Sequence, residues 1–333
     1  MAEKNIIVNN LEAINNALDI ALENDKNVVL YGQDAGYEGG VFRATKGLQA
    51  KYGIERVWDS PIAENSMVGV AIGAATQGIK PIVEIQFSGF SFLGMNQLFT
   101  HAARMRNRSR GVFNCPIVVR MPMGGGIKAL EHHSESLESI YASIPGLKIV
   151  LPSNPYDTKG LLLAAINDSD PVIFFEPKKT YRSFKQEIPE GYYEVPIGKA
   201  NIVKTGHDLT IVSYGSNLIQ LLKLTEEMEI THPDISIELI DLRTIKPLDE
   251  KTIFASIYKT GRLLVVHEAV YSFSVSSEII SRVSANCFYY LKAPPAKITG
   301  WDITVPYAKG EKYQFDLKQR TIDKIVEIMA NQV

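Results

Sequence analysis

Short apolar runs alternate with segments of helical period along the first half of the chain. Residues 28–31, 81–87, 116–121, 147–151 and 171–175 are runs of strand length, and their lack of polar alternation predicts strands buried on both faces. Between them, residues 63–77, 93–107 and 156–167 carry the spacing of helices. Strand–helix alternation with short connections predicts a mostly parallel sheet covered on both sides. The pattern weakens over residues 178–195, a stretch rich in Lys, Pro, Tyr and Gly that contains Pro189-Glu190-Gly191 and reads as a linker. A second, smaller alternation follows. Residues 209–214, 235–241 and 263–267 predict strands, residues 216–228, 249–257 and 274–283 predict helices, and a last helix is expected over 316–330. The expected architecture is α/β in two domains, 1–190 and 191–333. No repeat of solenoid period and no low-complexity tract interrupts it.

Composition agrees with that picture and narrows it. A length of 333 residues suits two domains, and 45% hydrophobic residues provide for a large core. A formal net charge of -2 gives no reason to expect a nucleic-acid partner. No apolar run is long enough to suggest a bilayer span, so no membrane association is expected. Residues 1–7 show neither a long apolar run nor an Arg-rich amphipathic stretch, so the reading is a cytoplasmic protein without a targeting segment. Cys115 and Cys287 lie far apart among apolar neighbours and are expected to be buried and reduced.

Candidate chemistry clusters in three places. The first is Asp59-Ser60-Pro61-Ile62-Ala63-Glu64, where Glu64 falls in the first turn of the expected helix 63–77. A helix dipole stabilises an acid there without any catalytic role. The helix that follows is small and apolar nearly all round, which predicts deep packing, and a partly desolvated acid at its mouth becomes a candidate proton donor. The second is Glu84-Ile85-Gln86-Phe87-Ser88-Gly89-Phe90, which leaves a strand and enters a turn where open α/β sheets bind ligands. Phe90 there is either an ordinary packed aromatic or a flat face for a planar heterocycle. The third is Gly124-Gly125-Gly126, followed by His132-His133. Adjacent histidines cannot face one way, so at most one enters a site; the other explanation is two solvated loop histidines. No dinucleotide fingerprint opens the first strand–helix unit, because Gly32-Gln33-Asp34-Ala35-Gly36 has the wrong spacing, and no Walker loop occurs. That disfavours a nicotinamide-dependent dehydrogenase acting alone. A carboxylate, an aromatic and a histidine are present, with no visible grip for a diphosphate.

Taken with further stretches, these residues resemble a known family. They include Gly39-Gly40-Val41-Phe42-Arg43, Pro61-Ile62-Ala63-Glu64, Ala102-Ala103-Arg104-Met105-Arg106, His133-Ser134, Pro145-Gly146-Leu147-Lys148, Pro152-Ser153-Asn154-Pro155 and Asp241-Leu242-Arg243-Thr244. In this order, over nearly the whole chain, they resemble the beta subunits of thiamine-diphosphate-dependent 2-oxo acid dehydrogenases acting on pyruvate or branched-chain substrates.

The resemblance implies a pyrimidine-binding domain of mostly parallel sheet, then a smaller transketolase-like C-terminal domain. It implies that thiamine diphosphate is shared with an alpha subunit, which grips the diphosphate through Mg²⁺, in an alpha2beta2 heterotetramer. Glu64 takes the position of the glutamate that bonds the aminopyrimidine ring, Phe90 packs on that ring, Gln86 lines its pocket, and His133 is the active-site histidine. The chemistry implied is oxidative decarboxylation of pyruvate with reductive acetylation of a lipoyl group on dihydrolipoamide acetyltransferase. Branched-chain 2-oxo acids, acetoin, or a non-catalytic assembly role are the alternatives. Ile117, Ala165, Ile166, Asp168 and Asp170 match a site that holds a structural potassium ion in some relatives. Two departures stand out: Gln33 replaces an acid that relatives use in a carboxylate chain between active sites, and Tyr271-Ser272-Phe273 replaces glycines.

Overall fold

Sheet order decides which chain segments meet. The computed structural model describes residues 4–330, so the first three residues of the stretch read above for a targeting signal lie outside the described residues. The first half carries β1 (Asn5–Val8), β2 (Val28–Gly32), β3 (Val57–Asp59), β4 (Lys80–Glu84), β5 (Val118–Met123), β6 (Lys148–Val150), β7 (Val172–Pro177) and β8 (Gln186–Pro189). The second carries β9 (Asn201–Lys204), β10 (Leu209–Ser213), β11 (Ile237–Asp241), β12 (Thr244–Lys246), β13 (Leu263–Val266) and β14 (Ala296–Ile298). A 7-stranded sheet runs β12-β6-β7-β5-β4-β2-β3, and a 5-stranded sheet runs β14-β13-β10-β11-β9. Pairing is parallel in both except at the edges, where β12 lies antiparallel to β6 and β9 to β11. Every residue of β5 and β7 is buried, as expected of central parallel strands covered on both faces.

Three sequence expectations change. The helix expected over 93–107 is broken into a 3-10 turn Ser88–Leu93, a helix Met95–Thr100, a second 3-10 turn Ala102–Arg104 and a short helix Met105–Arg108. Gly94 sits at the first break, where a Cβ would lie 3.3 Å from Val68 and 3.4 Å from the Glu64 carbonyl, so close packing rather than periodicity sets the course. The stretch 178–195 is not only a linker: it contains β8, which pairs antiparallel with β1. And β12, from the second half, hydrogen-bonds to the first sheet, so buried residues of both halves, among them Ile149, Leu151, Val212 and Ile240, share one core.

One helix outside the expected set, Asn10–Asn24, packs Leu11, Ile14, Leu18 and Leu22 into a cluster that also holds Leu161, Leu162 and Ile166 of the helix Pro155–Asn167. Its start carries a legible signal: Asn9 Oδ1 accepts from the Glu12 N–H at 2.9 Å, and the Glu12 carboxylate accepts from the Asn9 N–H at 2.8 Å. Cys115 and Cys287 are buried and unbridged, as expected. Among the described residues no helix is long and apolar enough to cross a membrane.

Candidate active site

Parallel strands end on the same edge of a sheet, and the loops leaving that edge converge. Gly32 at the end of β2 is in register with Asp59 of β3 and Glu84 of β4. The Asp59 carboxylate accepts the N–H groups of Gly36 at 2.7 Å and Tyr37 at 3.0 Å, tying the loop after β2 to the end of β3. Five residues on, Glu64 opens the helix Glu64–Ala75. Tyr31 Oη donates to the Met67 carbonyl at 2.8 Å and pins that first turn over β2.

Glu64 is buried, with 5% of its surface exposed. Among the described residues its one side-chain partner is Gln33, whose Nε2 donates to Oε1 at 3.4 Å. The departure noted at position 33 therefore falls directly on this carboxylate. The deep packing expected of the helix is corrected in part. Met67, Val68, Ala71, Ile72 and Ala75 are buried, but Ser66, Val70 and Gly73 face outward. Small residues on an exposed, nearly uncharged face suit close approach by another protein.

Phe90 and His133 come together. Phe90 is half-buried; its ring lies 5.2 Å from that of His133 and 5.4 Å from that of Phe87, edge to face in both cases. Phe87 in turn lies 4.4 Å from His133. Gly89 permits this, because a Cβ there would collide with the His132 carbonyl. As expected, the two histidines part company. His132 is exposed beside Glu135, while His133 is half-buried and its Nδ1, shielded from solvent, finds no hydrogen-bond partner among the described residues. Glu64 joins this group through Gly94, which ends the turn bearing Phe90 and packs against the Glu64 carbonyl. Gln86 Nε2 donates at 3.1 Å to Oδ2 of Asp34, next in sequence to the Gln33 that bonds Glu64.

Of the five residues matched to a cation site, the two with charged side chains are already engaged. Lys148 Nζ donates to both oxygens of Asp168 at 2.7 and 2.6 Å, and Arg106 Nε donates to Asp170 at 2.7 Å. The Ile117 carbonyl accepts from the Val172 N–H at 3.0 Å and the Ala165 carbonyl from the Asp168 N–H at 3.3 Å, while Ile166 is buried in its helix. A cation there would draw on backbone carbonyls, since the two carboxylates already hold Lys148 and Arg106. Among the described residues no group of at least 3 His, Cys, Asp or Glu is arranged for a metal ion.

Two buried polar groups were missed by sequence reasoning. Arg120, in the middle of β5, donates from Nη1 to Glu84 at 2.8 Å and from Nε to Glu176 at 2.7 Å, and Tyr181 Oη donates to Glu176 at 2.5 Å. Burial pushes the Glu84 carboxyl up, opposed by Arg120. An arginine inside an apolar strand was the available signal.

The other group surrounds Glu138, which accepts from Tyr214 Oη at 2.8 Å while its Oε2 has no partner among the described residues. Burial pushes this carboxyl from 4.5 up to about 7, against the bond from Tyr214, which lowers it. The fold binds this proton more tightly than the unfolded chain does. The group's stabilising share is therefore complete below 4.5 and lost as pH rises through about 7. Glu138→Gln is expected to be more stable than the parent protein at about pH 8, by up to about 3 kcal/mol and seen as a higher thermal midpoint, and to lose most of that advantage near pH 5. Identical midpoint differences at the two pH values would contradict it.

Comparison with known proteins agrees with this layout. The chain matches the family described as transketolase, pyrimidine binding domain, over residues 8–183, and transketolase, C-terminal domain, over residues 198–319. It is 67% identical to the pyruvate dehydrogenase E1 component subunit beta of Mycoplasma genitalium, over 97% of this chain and 99% of that one. It is 42% identical to the protein of the same description from Staphylococcus aureus, over 96% and 98% of the two chains. The 2-oxoisovalerate dehydrogenase subunit beta of Pseudomonas aeruginosa is 44% identical over 91% of this chain and 90% of its own. A solved structure described as split gene transketolase, inactive beta4 tetramer, superposes with a TM-score of 0.78 at 16% identity, covering 98% of this chain and 100% of that one; it shares the fold.

Proposed function

Since this chain belongs to the family of pyruvate dehydrogenase E1 component beta subunits, built on transketolase-type pyrimidine-binding and C-terminal domains, we propose that it forms half of a thiamine-diphosphate-dependent pyruvate dehydrogenase. The reaction is decarboxylation of pyruvate followed by acetylation of a lipoyl group carried by an acetyltransferase.

The observation that carries this reading is Glu64, buried at the mouth of a helix whose first turn packs through Gly94 against the turn bearing Phe90, which in turn meets His133. These residues fit an aminopyrimidine ring. Among the described residues the acid has one long side-chain bond and His133 Nδ1 is a shielded nitrogen without a partner, while Phe90 is a half-buried aromatic. When bound, thiamine diphosphate supplies the carbon nucleophile and the electron sink for loss of carbon dioxide. The chain's own residues orient and move protons. With Oε1 accepting from Gln33, Glu64 Oε2 is the oxygen left to share a proton with a ring nitrogen. Phe90 would exclude water from one side of a bound ring, and Phe90 and Phe87 together hold His133 by edge-to-face contact. His133 acts on the acceptor, as a proton donor to the lipoyl sulfur during acetylation. The outward face of Ser66, Val70 and Gly73 is covered by the alpha subunit, to which the family resemblance assigns the diphosphate and its Mg²⁺.

The test is reconstitution with the alpha partner, measuring thiamine diphosphate binding with and without each subunit and turnover with pyruvate, branched-chain 2-oxo acids and acetoin. Pyruvate is expected to be preferred. Preference for a branched-chain substrate would move the assignment to the activity named for the Pseudomonas relative. His133→Ala should lower lipoyl acetylation about 10²- to 10⁴-fold while leaving pyruvate oxidation by ferricyanide much less affected. Equal losses in the two assays would remove the acceptor-side role of His133.

A further inference from the structure

The three glycines that lead from β5 toward His133 are gripped from the other half of the chain. A Cβ at Gly124 would collide with Glu268, and one at Gly125 with the ring of Phe315. The Gly126 N–H donates to Glu311 Oε1 at 2.5 Å. Gly124 and Gly126 have φ of +76° and +108°, open to glycine at little cost. At the loop's base the Gly124 N–H donates to the Glu135 carbonyl at 3.0 Å, just beyond His133. From beneath, Lys178 at the end of β7 donates its Nζ to the Gly124 carbonyl.

Lys178, Glu268 and Glu311 are buried, at 4%, 8% and 6% exposure. Glu268 is itself fixed by Ser216 Oγ at 2.8 Å. Lys178 Nζ also lies 5.6 Å from the Phe87 ring centroid, and Phe87 touches His133. A continuous set of contacts thus runs from the second half of the chain to the histidine. Burial disfavours the Lys178 ammonium and lowers it to about 7, while the carboxylates of Glu268 and Glu311 oppose that shift.

A triple-glycine loop has no conformation of its own, since fixing each residue's backbone costs roughly 1–2 kcal/mol. Something else must hold it, and its own domain supplies Lys178 and the Glu135 carbonyl. Gly126 also rests against Lys179 of the same domain, and Glu268, Phe315 and Glu311 of the second half supply the other contacts.

We propose that Lys178, Glu268 and Glu311 form a clamp between the two halves of the chain that sets the position of His133, making them positioning residues for the transfer to the lipoyl acceptor. This rests on the acceptor-side role given to His133 above.

The test uses the enzyme assembled with its alpha partner and the variants Lys178→Met, Glu311→Ala and Glu311→Gln. A misplaced catalytic group costs up to about 100-fold, and a loss of that order is expected in lipoyl acetylation for Lys178→Met and Glu311→Ala, with ferricyanide-linked pyruvate oxidation nearly unchanged. Glu311→Gln keeps an acceptor for the Gly126 N–H and should recover most of the acetylation rate. Hydrogen exchange over residues 124–135 should quicken in the first two variants and not in the third. Unchanged exchange, or equal losses in both assays, overturns the proposal. An unmodified enzyme inert toward pyruvate would overturn the functional reading instead, and the exchange result alone would then decide the clamp.

Discussion

Glu64→Gln is expected to lower pyruvate turnover of the assembled enzyme by about 10²- to 10⁴-fold, the range for losing a general acid–base group. The amide keeps the shape of the side chain and still offers an oxygen to Gln33 Nε2, so the first turn of the helix Glu64–Ala75 should stand. What disappears is the ability to hold or share a proton at the second oxygen. Assembly with the alpha subunit, thermal midpoint and far-ultraviolet circular dichroism should match the parent protein. Turnover within a few-fold of the parent, with cofactor bound, would show that a buried acid at position 64 is not what readies the heterocycle.

Arg120→Met should produce the largest loss of stability. Arg120 is fully buried between Glu84 on β4 and Glu176 on β7, with β5 carrying it between them. Removing the cation leaves two carboxylates in the interior without it, a defect worth about 3–5 kcal/mol when a buried ion pair loses one partner. Total stability of a native protein is only about 5–15 kcal/mol, so this variant sits near the threshold of folding. The origin of the effect can be checked by adding Glu84→Gln and Glu176→Gln to Arg120→Met. With no charge left to strand, urea unfolding of the triple variant should recover much of the loss, as replacement of whole buried ion groups by neutral side chains is often nearly neutral. A single variant as stable as the parent, or a triple variant no better than the single, would sink this account. The site would feel the same change: Glu84 ends β4, two residues before Gln86, and a Cβ at Gly40 would approach Glu84 Oε1 to 2.6 Å.

Much of the candidate site could be read from the chain because its residues follow strand ends. Residues 28–31, 81–87 and 116–121 announced β2, β4 and β5; Gln33 and Gln86 lie just past the first two, and His133 lies on the loop that leaves the third, all on the edge where parallel strands terminate. The choice of His133 over His132 followed from the resemblance, and the fold agrees for a local reason: adjacent side chains diverge, and the inner one meets Phe87 and Phe90. Packing decided what periodicity could not. The run 93–107 has helical spacing, yet the close approach of Gly94 to Val68 and the Glu64 backbone interrupts it. Residues 186–189 look like linker because an edge strand facing solvent carries no apolar run, and only pairing with β1 makes them a strand.

The amino-acid sequence by itself determined the α/β class, pointed to a two-part organisation and, with the family resemblance, marked an acid, an aromatic and a histidine as candidates. Side-chain direction repeats every two residues in a strand and every 3.6 in a helix, so burial leaves a local record. Tertiary structure alone decided that Arg120 meets Glu84 and Glu176, that β12 crosses into the first sheet, and that Glu311 reaches back to Gly126. Those contacts join residues tens to nearly two hundred positions apart. They depend on strand order and on how the two halves dock, and the spacing of residues along a chain carries no trace of either.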